Sequence, residues 1–204
     1  MNAPRPHDLL WGMPVSGLPT DAPQWALEVL ASGQPVVVRR ATCEAGWVAV
    51  GLRGPGRAQR LGALMRLTDI QRHQGPEALR VHEQSPWPAV QALASVTPVL
   101  QARGLPWGPT GGVGYQLATG SEVVHADSDL DLLLRTPRPL ARAQARELLD
   151  ILDCAPCRID VQLETPAGAV ALREWASFTP RVLLKSPHGP RLVSDPWAVM
   201  ERAA

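Results

Sequence analysis

The chain has 204 residues, 45% of them hydrophobic and 19% charged, with a formal net charge of +1. That is an ordinary globular composition, long enough for one large domain or two small ones with a buried core. Near-neutral charge supplies no field for nucleic acid, and no apolar run approaches the roughly 18 residues that span a bilayer, so neither partner is expected.

The N-terminal stretch lacks the long apolar segment of a signal peptide, and three cysteines, Cys43, Cys154 and Cys157, do not form a disulfide framework in a chain this long. A reducing cytoplasm is the expected location.

Taken in order, Asp21 to Ser32 reads as a helix, with Asp21 as N-cap, an early proline and Gly33 as its stop. Val36 to Arg40 reads as a strand, and Trp47 to Arg53 as another that ends in the turn Gly54-Pro-Gly56. Two prolines in Ser85-Pro-Trp-Pro88 mark the expected domain boundary, giving domains 1–88 and 89–204. The first carries 9 Arg against 7 acids; the second carries 11 basic residues against 12 acids, four of them between Glu122 and Asp131.

Beyond the boundary come a predicted helix, Ala89 to Arg103, a glycine-rich passage and the stretch His125-Ala-Asp-Ser-Asp-Leu-Asp-Leu-Leu-Leu134. Leu140 to Leu152 reads as an amphipathic helix through Ala143, Leu148, Leu149 and Leu152, and Arg158 to Glu164 as a strand of period two. Helices mixed with strands in this order predict an α+β fold.

The chemistry concentrates in two strands. Residues two apart on a strand share a face, roughly 6.5 to 7 Å from Cα to Cα. Asp129 and Asp131 therefore face one way while Leu130, Leu132 and Leu134 face the core. Asp160, Gln162 and Glu164 repeat the pattern opposite Ile159, Val161 and Leu163. If the strands are neighbours, Asp129, Asp131 and Asp160 form a set of hard oxygen donors suited to Mg2+ or Mn2+. Two such ions roughly 3.5 to 4 Å apart clamp the attacking and leaving oxygens of a phosphoryl displacement. Asp-x-Asp alone also occurs as solvated turn or cap residues. Here a tight turn, Gly111-Gly112, precedes it and opens a short apolar segment whose first backbone N–H groups suit phosphate.

Other motifs fail on residues. A dinucleotide fingerprint lacks its third glycine, since Leu117 follows Gly112-Val-Gly114-Tyr-Gln; no Gly-Lys-Ser/Thr exists for a phosphate-binding loop. A calcium loop from Asp127 breaks at Leu132 and Arg138, and a haloacid-dehalogenase motif fails at Leu133.

Gly111-Gly112, then Asp127-Ser-Asp-Leu-Asp-Leu132, then a strand aspartate resembles the DNA polymerase β-like nucleotidyltransferase superfamily. More segments, in order along nearly the whole chain, resemble the malonate decarboxylase holo-[acyl-carrier-protein] synthases, also called phosphoribosyl-dephospho-CoA transferases. They are Arg5-Pro-His-Asp-Leu-Leu10, Thr110-Gly-Gly-Val-Gly-Tyr-Gln-Leu117, the acidic stretch, Ile159-Asp-Val-Gln-Leu-Glu-Thr-Pro166 with Gly168, and Leu183-Leu-Lys-Ser-Pro-His-Gly-Pro-Arg-Leu192.

The resemblance implies a polymerase β-like C-terminal domain, a mixed sheet with helices packed on it. It implies transfer of phosphoribosyl-dephospho-CoA from its 5''-triphosphate precursor to a serine of the apo acyl carrier protein subunit of malonate decarboxylase, with release of pyrophosphate. Asp129 and Asp131 would hold the metal, Asp160 would complete its site and accept the serine proton, and Gly111-Gly112 would grip the phosphates. The superfamily turn is usually Gly-Ser, so Gly112 removes a hydroxyl contact and leaves backbone donors. A plain nucleoside triphosphate donor with another acceptor, or a non-catalytic carrier-binding assembly factor, are the competing readings.

Lys185 and Arg191 are candidate phosphate ligands, with solvated surface cations as the alternative. Cys154-Ala-Pro-Cys157 follows a helix instead of opening one, so a helix-to-strand turn is expected in place of a redox or zinc site. The mildly basic N-terminal domain is expected to take substrate or carrier protein.

Overall fold

The computed structural model describes residues 3–56, 58–81 and 85–198. Two compact units, 1–78 and 79–204, divide the chain, each with its own core, and helices combine with sheets throughout. The expected α+β class with two domains is borne out.

The first unit is a five-stranded antiparallel sheet in the order β4-β3-β2-β1-β5. Its strands are β1 (Leu9–Trp11), β2 (Val36–Val38), β3 (Trp47–Arg53), β4 (Arg60–Arg66) and β5 (Arg72–Gln74). Alternation sends Val48, Val50 and Leu52 of β3 and Leu61, Ala63 and Met65 of β4 to one face, where Ala26 and Leu30 of helix α1 (Gln24–Ala31) join the core.

The helix starts later than expected. Pro23 holds Ala22 away from helical backbone, so Pro23 is the N-cap and Asp21 lies too early to cap anything. Gly33 is the predicted stop, at φ +74.

The second unit is a six-stranded mixed sheet in the order β11-β10-β9-β8-β7-β6. Its strands are β6 (Trp107–Pro109), β7 (Leu130–Arg135), β8 (Ile159–Thr165), β9 (Gly168–Ala171), β10 (Val182–Ser186) and β11 (Gly189–Val193). Only β7 and β8 run parallel, joined by helix α4 (Arg142–Leu152) as a crossover. Helices α2 (Pro88–Ala102), α3 (Gly111–Thr119) and the single turn α5 (Leu172–Trp175) complete the unit.

Ser85-Pro-Trp-Pro88 is not where the units divide. It builds the start of α2: Trp87 is the N-cap, Pro88 is the first helical residue, and the Gln91 amide donates to the carbonyl oxygen of Ser85. Val81, before it, already packs on the second core. In α4 the buried stripe is Ala145, Leu148, Leu149 and Leu152; Ala143, expected in it, is exposed. Cys154 to Cys157 form the expected turn between α4 and β8, and all three cysteines are free. Among the described residues no helix is long and apolar enough to cross a membrane.

Candidate active site

Strand β7 is buried at every position except Asp131. Leu130, Leu132 and Leu134 enter the core as predicted, and Leu133 is covered as well, at 1% exposure. The single opening in this strand is therefore the aspartate. Strand β8 alternates cleanly, with Ile159, Val161 and Leu163 buried and Asp160, Gln162 and Glu164 half-buried.

The two strands are neighbours, and Asp131 lies directly opposite Asp160 in the register. Adjacent strands are about 4.8 Å apart, and opposed residues share a face, so the two carboxylates start side by side. Both line a cleft of about 260 Å³.

Helix α3 begins against Asp131. The Thr110 N–H donates to the Asp131 carbonyl oxygen at 2.8 Å, and Gly111 follows at φ +57, left-handed backbone that favours glycine. A Cβ on Gly111 would fall 2.0 Å from Asp131 Oδ2. The missing side chain thus lets the helix start and the carboxylate occupy the same place. A carboxylate at a helix N-terminus gains about 0.3–1 kcal/mol from the helix dipole.

Cations balance the carboxylates. Arg158 Nε and Nη2 both donate to Asp160 Oδ1, at 3.1 and 3.0 Å. Arg173 and Lys185 line the same cleft. Arg173 is bidentate with Asp153, at 3.1 and 2.5 Å. That hydrogen bonding holds the Asp153 carboxyl below its ordinary range and the Arg173 guanidinium above its own. The Arg158–Asp160 pair is substantially exposed, so it contributes about 0–1 kcal/mol and yields readily to a phosphate or a metal ion.

The structure brings Asp131, Asp160 and Lys185 together in the cleft lining and sets Gly111 against Asp131, with Gly112 next to it in the first turn of α3 and neither glycine itself in the lining. Asp129 and Arg191 are not brought to the cleft lining. Asp129 precedes β7 by one residue, outside the period-two register assumed for it, and is not among the lining residues. Its charge acts on Cys157, whose thiol is pushed up first by burial and further by Asp129, against a backbone hydrogen bond from Leu130. Arg191 lies opposite Leu184 on β11, on the core side of that strand pair, whereas Lys185 projects from the other face. Among the described residues, no three His, Cys, Asp or Glu side chains approach closely enough to hold a metal ion as they stand.

Sequence reasoning missed Arg158 and Arg173. Arg158 carried a usable signal, because it sits two residues before Asp160 and shares its face. Arg173 carried none, since α5 and β9 were not legible.

A family model described as the phosphoribosyl-dephospho-CoA transferase MdcG C-terminal domain matches residues 76–196, and its N-terminal counterpart matches residues 5–76. The chain belongs to the phosphoribosyl-dephospho-CoA transferase family. Relatives carrying that name include one from Pseudomonas putida, 95% identical over 100% of both chains. Another, from Azotobacter vinelandii, is 58% identical over 95% of this chain and 94% of its own. A third, from Pseudomonas aeruginosa, is 52% identical over 97% and 96%. No solved structure matches the chain. The family resemblance read from the motifs is borne out, and the acidic cleft lies wholly within the part of the chain that the family's C-terminal domain covers.

Proposed function

We propose that the chain transfers phosphoribosyl-dephospho-CoA from its 5''-triphosphate precursor to a serine hydroxyl of the apo acyl carrier protein subunit of malonate decarboxylase, releasing pyrophosphate. The observation that carries this reading is the pair Asp131 and Asp160, opposed in register at the start of a helix in a cleft that also holds Arg158, Arg173 and Lys185. Carboxylates for a cation and a nucleophile, beside cations for phosphates, are what transfer of a phosphorus-bearing group requires.

In the proposed reaction the serine oxygen attacks the α-phosphorus in line. The new O–P bond forms as the bond to the pyrophosphate oxygen breaks. Asp160 accepts the serine proton, a role worth about 10²- to 10⁴-fold. Lys185 and Arg173 orient the triphosphate, with Arg158 exchanging Asp160 for a phosphate oxygen, and the first N–H groups of α3 at Gly111 and Gly112 face the same anion.

Asp131 and Asp160 fit a hard divalent cation, since both are oxygen donors opening into one cleft. We assign Mg2+ or Mn2+ to them, with Asp129 as a further ligand supplied from the segment before β7. When bound, the ion supplies charge neutralisation for the triphosphate and the leaving pyrophosphate. The sequence of a glycine-opened helix, an aspartate strand and a parallel aspartate strand supports a polymerase β-like fold for this unit. Three free cysteines support work in the reducing cytoplasm.

The test is to incubate the full chain with apo carrier subunit, precursor and Mg2+, following pyrophosphate and carrier mass together. Both should rise in step, stop on chelation with EDTA and resume when Mg2+ is restored. Equal labelling of the carrier from ATP alone would overturn the donor assignment.

A further inference from the structure

The first unit has a sheet face that its own core does not use. Residues Trp47, Ala49, Gly51 and Arg53 of β3 stand opposite Arg66, Leu64, Gly62 and Arg60 of β4, and all turn away from the core. Arg60 and Arg66 are exposed, and Leu64 between them is 51% exposed. Strand β4 is the sheet edge.

Gly51 and Gly62 are register partners, and Arg39 lies across them. A Cβ on Gly62 would fall 2.4 Å from Arg39 Nη1, and one on Gly51 would fall 3.3 Å from its Cδ. The paired glycines form a shallow slot that lays this guanidinium flat on the sheet. Arg66 stacks over Trp47, 4.9 Å from the ring centroid. Beside Arg39 opens a cleft of about 610 Å³, walled by Leu18, Pro19, Cys43, Trp47 and Leu64.

Charge on this segment is almost all of one sign. From Val36 to Arg66 the chain carries six arginines (Arg39, Arg40, Arg53, Arg57, Arg60 and Arg66) and a single acid, Glu44. Arginines on an edge strand discourage strand pairing, which accounts for Arg60 and Arg66. It does not account for Arg39, which follows β2 and lies across two paired glycines.

We infer that this face docks an acidic protein surface with an apolar residue at its centre, and that the partner is the carrier protein that accepts the prosthetic group. The inference rests on the functional reading above, in which the acceptor is a protein. Carboxylates on the partner meet Arg39, Arg60 and Arg66, while its apolar residue enters the cleft beside Leu64 and Trp47. Such a ring of cations about an apolar centre governs the rate and selectivity of encounter.

The experiment measures carrier transfer kinetics and equilibrium binding of labelled apo carrier to the full chain, for wild type, Arg39→Glu/Arg66→Glu and Leu64→Asp. The charge reversals should raise the carrier KM and Kd on the order of tenfold or more and flatten their salt dependence, with the donor KM unmoved. Arg39→Gln/Arg66→Gln should shift both in the same direction by less, which separates lost charge from lost fold. If wild type transfers and every variant keeps the wild-type carrier KM, the docking surface is wrong while the functional reading stands. If wild type moves no group from precursor to carrier, the functional reading falls and this inference with it. A change in self-association, with the carrier KM unaltered, would assign the face to a second copy of the chain and overturn the proposal.

Discussion

Replacing Gly111 by alanine places a methyl carbon where the Asp131 carboxylate now lies. The ideal Cβ falls 2.0 Å from Oδ2 and 2.8 Å from Cγ of Asp131, far inside contact distance. Backbone at φ +57 costs an L-residue about 1–2 kcal/mol. Turning Asp131 away from its rotamer adds about 0.5–1.5 kcal/mol. Together the loss of stability is about 1.5–3.5 kcal/mol, measured by urea unfolding of the full chain.

Turnover suffers more than stability, because a reacting group misplaced by about 1 Å costs roughly 100-fold. Gly120→Ala is the control: its φ is +75 with nothing within 4 Å of the added carbon, so it carries strain alone. Pyrophosphate release, at a temperature where both variants are folded, should fall about 100-fold for Gly111→Ala and stay at the wild-type rate for Gly120→Ala. If Gly111→Ala loses no more stability than Gly120→Ala and keeps full turnover, Gly111 does not secure Asp131.

Three further outcomes are expected. Lys185→Ala should raise the donor KM about tenfold or more through a lost charge-assisted contact, whereas Arg191→Ala should lower stability instead, through lost packing of its aliphatic stem on the core side opposite Leu184; donor titrations and unfolding curves of both variants decide this. Asp129→Asn should lower the Cys157 thiol from its raised position and speed its alkylation by iodoacetamide at pH 8; an unchanged rate, followed by peptide mass, would separate Asp129 from Cys157. The Asp153 carboxyl is held low by Arg173, so its stabilisation is complete above the unfolded value, about 3.9, and is lost as pH falls through the folded value below it. Half-exposed as this pair is, Asp153→Asn should cost under about 1 kcal/mol at pH 7 and should cost nothing once acid has protonated Asp153 in wild type, as read by acid unfolding.

Period-two alternation carried the site because it depends only on which face is buried. It fixed the inward series of β7 and β8 and put Asp160 with Asp129 and Asp131 on condition that the strands were neighbours; the register then set Asp160 opposite Asp131. The same rule could not place Asp129 outside the strand, because nothing in the residues says that β7 begins at Leu130. It also could not see Leu133 as buried, since a strand covered on both faces loses its alternation.

Lys185 and Arg191 show another limit. They read as equivalent cations flanking a turn, and only the hairpin register, Leu184 opposite Arg191, puts them on different faces. The paired prolines near Pro88 misled for a local reason: they start a helix as readily as they stiffen a linker. Family membership was legible because many ordered segments carried it together, each alone being weak.

In the proposed reaction Asp131 and Asp160 jointly serve the transfer, and the rest of the site's chemistry depends on that claim. Pyrophosphate release from the triphosphate precursor, with apo carrier subunit and Mg2+, should be measured for Asp131→Asn and Asp160→Asn beside wild type. Each substitution keeps the side-chain size and removes one charge from the cleft, so both should fold with near-wild-type unfolding curves and lose about 10³-fold or more in turnover. Wild-type turnover by either folded variant would contradict that claim.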